Sequence, residues 1–203
     1  MKEQENLSDN ELFRSIQAGD ENAFTLLYRR RQGGIYRFTL QMGGSPALAE
    51  DITQEVFLVL MRGTLAFDPA RGTLNAFLYG IARKQLLRRL EREHFYAPLE
   101  SDADAGKDSP SQDSGPLEDF SRNETAAAVR KAILSLPERY REVVVLCDLE
   151  EMSYVDSAAV LGCAVGTVRS RLHRARALLI EKLQPAKTES AASTDVKAAR
   201  CFA

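Results

Sequence analysis

VGTVRSRLHRARALLI, residues 165–180, sets Arg169, Arg171, Arg174 and Arg176 inside an otherwise apolar run. Val168, Leu172, Ala175 and Leu179 recur at spacings of four, three and four, so they share one face of a helix. The arginines, with Ser170 and His173, take the remaining faces. A guanidinium fork pairs with the major-groove edge of guanine or with a phosphate. Solvent, an anionic membrane surface or an acidic partner would meet such a face equally well, so the neighbouring sequence has to decide. Upstream, Ser153 with Asp156 makes a capping-box pattern before YVDSAAVLG, Gly162 breaks that run, and CAV turns the chain into the arginine segment. A short helix, a glycine-containing turn and a second helix with a basic outer face form the pattern of a helix-turn-helix.

Working outward, Pro137 opens PERYREVVVLCDLE, and AAAVRKAILSL before it is amphipathic. The segment 124–185 therefore reads as a helical domain, and residues 186–203, small and polar, as a disordered tail. On the other side, residues 99–123 hold seven acids against two bases, with Pro110, Pro116 and several Ser and Gly. Such a stretch buries too little apolar surface to offset its ordering entropy and reads as a flexible acidic linker. It carries −5 of a net charge of −2, which leaves +3 on the rest of the chain. The acidity thus belongs to the connector and not to the helices.

Residues 1–98 also read as helices. Ser8 and Glu11 make a capping box, and Gly19 followed by Asp20 ends one helix and caps the next. Gly33 and Gly34 allow a bend in that second helix. Ser45 with Pro46 starts a third, striped by Leu48, Ile52, Val56, Val59 and Leu60. After the loop GTLAFDPARG, Thr73 caps a fourth, with Leu74, Phe77, Leu78, Ile81 and Leu86 at helical spacing. No segment alternates with period two, so the fold class is all-α, as two small helical domains joined by the linker.

Two further clusters stand out. ARKQLLRRLERE gathers Arg83, Lys84, Arg88, Arg89 and Arg92 close to Phe67, Phe77 and Tyr79. Bases beside aromatics are what unstacked nucleic acid needs, although Phe77 also suits the core and a basic helix end also suits the helix dipole. DITQEVF, residues 51–57, puts Asp51, Gln54 and Glu55 on a face apart from its apolar stripe, as a solvated face or as a patch for a basic partner helix. The histidines, His94 and His173, lie near no nucleophile in sequence, and no phosphate loop, nucleophile elbow or H-E-x-x-H motif occurs. No catalytic, metal or cofactor site is expected. Cys147, Cys163 and Cys201 form neither a disulfide framework nor a zinc pattern, and the first two read as small buried hydrophobes. With no apolar run long enough for a span and a polar start, the expectation is a cytoplasmic protein without membrane insertion.

The order of these pieces resembles the bacterial RNA polymerase sigma factors of the compact extracytoplasmic-function (ECF) type. The stretches AGDENAFTLLYRRRQGGIYRF, AEDITQEVFLVLMR, FDPARGTLNAFLYGIARKQLLRRLER and LPERYREVVVLCDLEEMSYVDSAAVLGCAVGTVRSRLHRAR carry the resemblance. It implies that Asp51, Gln54, Glu55 and Phe57 dock on the β′ clamp helices of core polymerase, with a further contact to the β flap. It implies that Phe67, Arg71, Thr73, Phe77, Arg83, Lys84 and Arg88 serve recognition and melting of the −10 promoter element. Arg169, Ser170, Arg171, His173, Arg174 and Arg176 would then serve the −35 element, the acidic connector would mimic nucleic acid in a polymerase channel, and an anti-sigma factor would control the whole. The chain departs from the family pattern at Phe77, where Trp is frequent, at Lys84, where Asn is, and at Asp156, where Glu is. Rival readings are a stand-alone helix-turn-helix regulator and an adaptor that binds protein alone.

Overall fold

The computed structural model describes residues 7–63, 67–96 and 118–183, and among them every regular element is helical. In chain order these are α1 (Asp9–Gln17), α2 (Glu21–Gly43), α3 (Pro46–Arg62), a 3₁₀ turn (Pro69–Arg71), α4 (Leu74–Tyr96), α5 (Glu118–Leu134), α6 (Glu138–Val144), a π turn (Val145–Leu149), α7 (Tyr154–Leu161) and α8 (Val165–Leu183).

The starts follow the caps read from sequence. Ser8 accepts from the Glu11 N–H at 3.3 Å, while the Glu11 carboxylate accepts from the Ser8 N–H at 2.7 Å. The Ser8 hydroxyl also donates to Glu11 Oε2 at 2.7 Å, and this bond, with that from the Ser8 N–H, holds the Glu11 carboxyl below its ordinary range. Asp20 caps α2 through the Asn22 and Ala23 N–H groups, Ser45 caps α3, and Thr73 accepts from Ala76 N–H at 3.2 Å to cap α4. Helices α2 and α3 stop at Gly44 and Gly63, which take the left-handed φ values of +74° and +59° that side chains resist.

In the first half, α1, α3 and α4 surround α2, burying Leu27, Ile35 and Phe38 against Ile52, Val56, Leu74, Leu78 and Leu86. The first half is further tied by Asp9, which accepts from Arg30 and Arg31. In the second half α6 and α7 pack on α8, around Val143, Val144, Leu146, Leu161, Val168 and Leu172. The halves are not separate in space: α4 packs on α7, α2 touches α5 and the π turn, and one apolar core runs through both.

Three details differ from expectation. Helix α2 continues without interruption through Gly33 and Gly34. Glycine at 34 has another use, since a Cβ there would collide with Tyr79 and Glu150. Helix α5 begins at Glu118, inside the stretch read as linker, because extending a helix from AAAVRKAIL costs far less than nucleating one. Residues 97–117, and the tail from 184, lie outside the described residues. The apolar segment after Pro137 is not one α-helix but a short helix finished by a π turn. Cys147 and Cys163 are half-buried and unbridged. Cys147 sits 3.3 Å from the Ser157 hydroxyl, with its thiol pKa raised by burial.

Candidate nucleic-acid interface

Helix α8 buries Val168, Leu172 and Ala175. At about 3.6 residues per turn, the direction opposite that stripe belongs to Ser170, His173 and Arg174, all exposed. Arg171 lies on one flank, half-buried. Arg169 and Arg176 lie on the other flank and are engaged there. The Arg169 guanidinium stands 5.8 Å over the Tyr154 ring. Arg176 donates from Nη2 to Asp148 Oδ1 at 2.6 Å and from Nε to Oδ2 at 3.1 Å, and this bonding raises its pKa. The four arginines are therefore inequivalent. Sequence spacing could place them on faces, but Asp148 lies 28 residues upstream and its pairing left no local signal.

A second concave surface forms at the start of α4. Phe67 stacks obliquely on Phe77 with ring centroids 5.4 Å apart, and Phe13 meets Phe67 edge-on from α1. These two rings, with Thr73, Lys84 and Arg88, line a cavity of about 580 Å³, within the range of small-ligand sites. Asp68 and Gln85 also line it, and sequence reasoning missed both. Gln85 lies one turn from Ile81 on a polar helix position, where nothing local separates a lining residue from a solvated one. Ala159 of α7 closes part of the wall, so the cavity draws on both halves. Of the expected −10 residues, Arg83 does not line it. Its Nε donates to Glu142 Oε1 at 2.5 Å, with Glu142 almost fully buried, so in this arrangement Arg83 serves the contact between halves. Arg71 falls in the 3₁₀ turn that Asp68 caps, and its side chain lies outside the described residues.

The face of α3 divides as follows. Asp51 and Gln54 are exposed and Glu55 is half-buried, with the Arg89 guanidinium 3.8 Å from Asp51 and 3.6 Å from Glu55. Leu58 and Met61, 45% and 59% exposed, continue that face by helical spacing and were not singled out in the sequence. Phe57 corrects the expectation: it is 2% exposed and packs its ring against Phe24 and Tyr28, so it holds α3 in place and cannot meet a partner. Among the described residues no cluster of histidine, cysteine or carboxylate could hold a metal ion, and no helix is long and apolar enough to cross a membrane.

Among the described residues, all-helical in their regular elements, the chain pairs a basic helix-turn-helix with a cavity lined by aromatic and basic side chains. Comparison with known proteins matches this order. The model of Sigma-70 region 2 matches residues 27–95, the half that carries the cavity, and Sigma-70 region 4 matches residues 126–179, the half that carries α8. The ECF RNA polymerase sigma factor SigM of Mycobacterium tuberculosis is 35% identical over 179 residues, covering 87% of this chain and 85% of that protein. The ECF RNA polymerase sigma-E factor of Escherichia coli K12 is 33% identical over 193 residues, covering 89% and 97%. SigE of Mycolicibacterium smegmatis is 35% identical over 170 residues, and the match spans 64% of its length and 82% of this chain. Among solved structures, CnrH in complex with the cytosolic domain of CnrY superposes with a TM-score of 0.64 at 26% identity, covering 85% of this chain and 95% of that one. RpoE of Bartonella quintana, in complex with the anti-sigma factor NepR, gives 0.61 at 26%, covering 79% and 96%. With both regions in order, and SigM and sigma-E matched over 85% and 97% of their length, the chain belongs to the ECF family of RNA polymerase sigma factors.

Proposed function

We propose that the chain binds core polymerase through the outer face of α3, opens and reads the −10 element at the cavity beside α4, and reads the −35 element with the outer face of α8. The observation that carries this is the pairing, on one chain, of a Phe67–Phe77 cavity edged by Lys84 and Arg88 with an α8 face centred on Ser170, His173 and Arg174. An aromatic wall receives an unstacked base, and cations at its edge meet the phosphates. Lys84 is a donor only, so it favours a base edge that presents acceptors. The α8 face suits the major groove, where Arg174 can reach a guanine and its neighbours the backbone.

Asp51, Gln54, Leu58 and Met61 form a mixed polar and apolar strip suited to a basic, amphipathic partner helix such as those of the β′ clamp, and the second half contacts the β flap. Polymerase performs the chemistry, so the chain itself is a binding subunit that works in the cytoplasm. With only +3 outside the connector, free chain binds DNA weakly, and affinity comes from the holoenzyme. An anti-sigma factor that covers the DNA-binding surfaces holds it in check; the structural neighbour RpoE is found in complex with the anti-sigma factor NepR.

The test is transcription in vitro with purified core polymerase and a fragmented genomic template. The expected result is a small set of transcripts that start at one promoter pattern and depend on the chain. Operator binding by the chain alone as a dimer, with no chain-dependent transcript, would establish the stand-alone regulator instead.

A further inference from the structure

Tyr154 is the first residue of α7, and it stays 38% exposed. Burial therefore accounts for only part of its place in the fold. Its ring forms one wall of a groove of about 240 Å³ along the flank of α8, lined also by Leu172, Ala177 and Ile180. Arg169 and Arg176 share that groove, about 10 Å apart along the helix axis at about 1.5 Å per residue.

The two arginines are held in different ways. The Asp148 carboxylate takes two N–H donors of Arg176, at 2.6 and 3.1 Å, and offsets its charge. The Tyr154 ring instead meets the Arg169 guanidinium with its π face, the central carbon standing 5.8 Å from the ring centroid. An aromatic face attracts a cation through its quadrupole but is no ordinary hydrogen-bond acceptor. Arg169 is thereby oriented while its charge and its fork of donors stay available. A long side chain loses rotamer freedom when it binds, and a contact that fixes it beforehand lowers that cost.

The position of the pair in the helix-turn-helix gives this orientation a use. Arg169 falls in the second turn of α8, which begins at Val165. The N-terminal part of a recognition helix reaches the base edges, while the first helix of the motif crosses the DNA backbone. Tyr154 lies at the start of that first helix, so the guanidinium it holds stands on the side of α8 where both helices face DNA.

We propose that Tyr154 is a positioning residue for −35 recognition, its ring holding Arg169 in the orientation in which the guanidinium meets promoter DNA. The inference rests on the reading of α8 as the helix that takes the −35 element. An exposed cation–π contact corresponds to about two- to fivefold in an equilibrium constant, which sets the size of the effect.

The test uses holoenzyme assembled from core polymerase and the full chain. Promoter affinity is read as the template concentration that gives half-maximal initiation, at low salt so that weakened forms still bind. Tyr154→Leu keeps apolar bulk beside Leu172 and Ile180 and removes the aromatic face. Tyr154→Phe keeps the face and removes the hydroxyl. Each is made alone and together with Arg169→Ala. Circular dichroism establishes that the variants are folded, and Tyr154→Met replaces Tyr154→Leu should the latter not fold.

Tyr154→Leu should need about two- to fivefold more template, and Tyr154→Phe should recover that loss. With Arg169→Ala already present, Tyr154→Leu should cost nothing further, because the effect runs through that guanidinium. A loss of the same size with and without Arg169 shows support of the fold alone and overturns the proposal. Equal losses for Tyr154→Leu and Tyr154→Phe place the effect in the hydroxyl and overturn it too. No loss for Tyr154→Leu, or an Arg169→Ala variant with unchanged promoter affinity, does the same. All of these leave the sigma reading standing, since the unaltered chain initiates in each. Absence of any chain-dependent transcript overturns that reading and the positioning role together.

Discussion

Arg174 and Arg176 sit two residues apart on α8 yet should behave differently when removed. Arg174 is exposed at the centre of the face opposite the buried stripe. Arg176 is committed from two nitrogens to Asp148, which already offsets its charge. A bidentate base contact is worth about 1–3 kcal/mol of discrimination, roughly 5- to 150-fold in promoter preference. An exposed ion pair contributes little, so Arg176→Ala should cost less than Arg174→Ala, spread evenly over sequences. The assay is initiation by holoenzyme on a template set carrying every single-base change in the −35 element, repeated across a salt series. Arg174→Ala should flatten the preference at one or two positions. Arg176→Ala should leave the pattern of preference intact, and Asp148→Asn, which frees the guanidinium for phosphate, should steepen the salt dependence by up to about one unit of log–log slope. If Arg174→Ala weakens all templates equally while Arg176→Ala erases a base preference, the assignment of faces on α8 is wrong.

Phe57→Ala should cost about 3–5 kcal/mol in urea unfolding, because the ring is buried against Phe24 and Tyr28. Asp51→Ala should change stability by less than about 0.5 kcal/mol and weaken binding to core polymerase, the converse pattern. Thr73→Ala should lose about 1 kcal/mol of stability, since its hydroxyl caps α4, read again by urea titration. Tyr79 has its pKa raised, first by burial and then by the Glu150 charge. Its proton is retained in the folded chain and lost from an unfolded tyrosine near pH 10, so stability should fall as pH rises above about 10. Followed by ultraviolet absorbance, one of the six tyrosines should ionise only as the chain unfolds, and simultaneous titration of all six in a folded chain would refute that placement.

The parts of the fold that were legible are those whose causes are local. Ser8, Asp20, Ser45 and Thr73 each satisfy an N–H two or three residues ahead, so a cap can be read within one turn of sequence. The α8 stripe is likewise a matter of spacing. Phe57 shows where that reading fails. It follows Val56 at the edge of the stripe, and whether an aromatic there turns inward depends on a gap left by Phe24 and Tyr28 on another helix. The π turn was hidden for a related reason: VVVLCDL holds no glycine or proline to mark a break, and Glu150, which closes the turn, is held by Arg37 and Tyr79 from distant helices.

Arg83 was expected at DNA because it sits among bases, and its actual partner is a buried carboxylate 59 residues on. Pairs of this kind bind with little net free energy, since desolvating both charges offsets most of their attraction. Arg37 stays 63% exposed while its partner Glu150, in the other half, is 4% exposed. The same two halves share one apolar core, so burial supplies the cohesion between them and the charged pairs mainly fix how they meet.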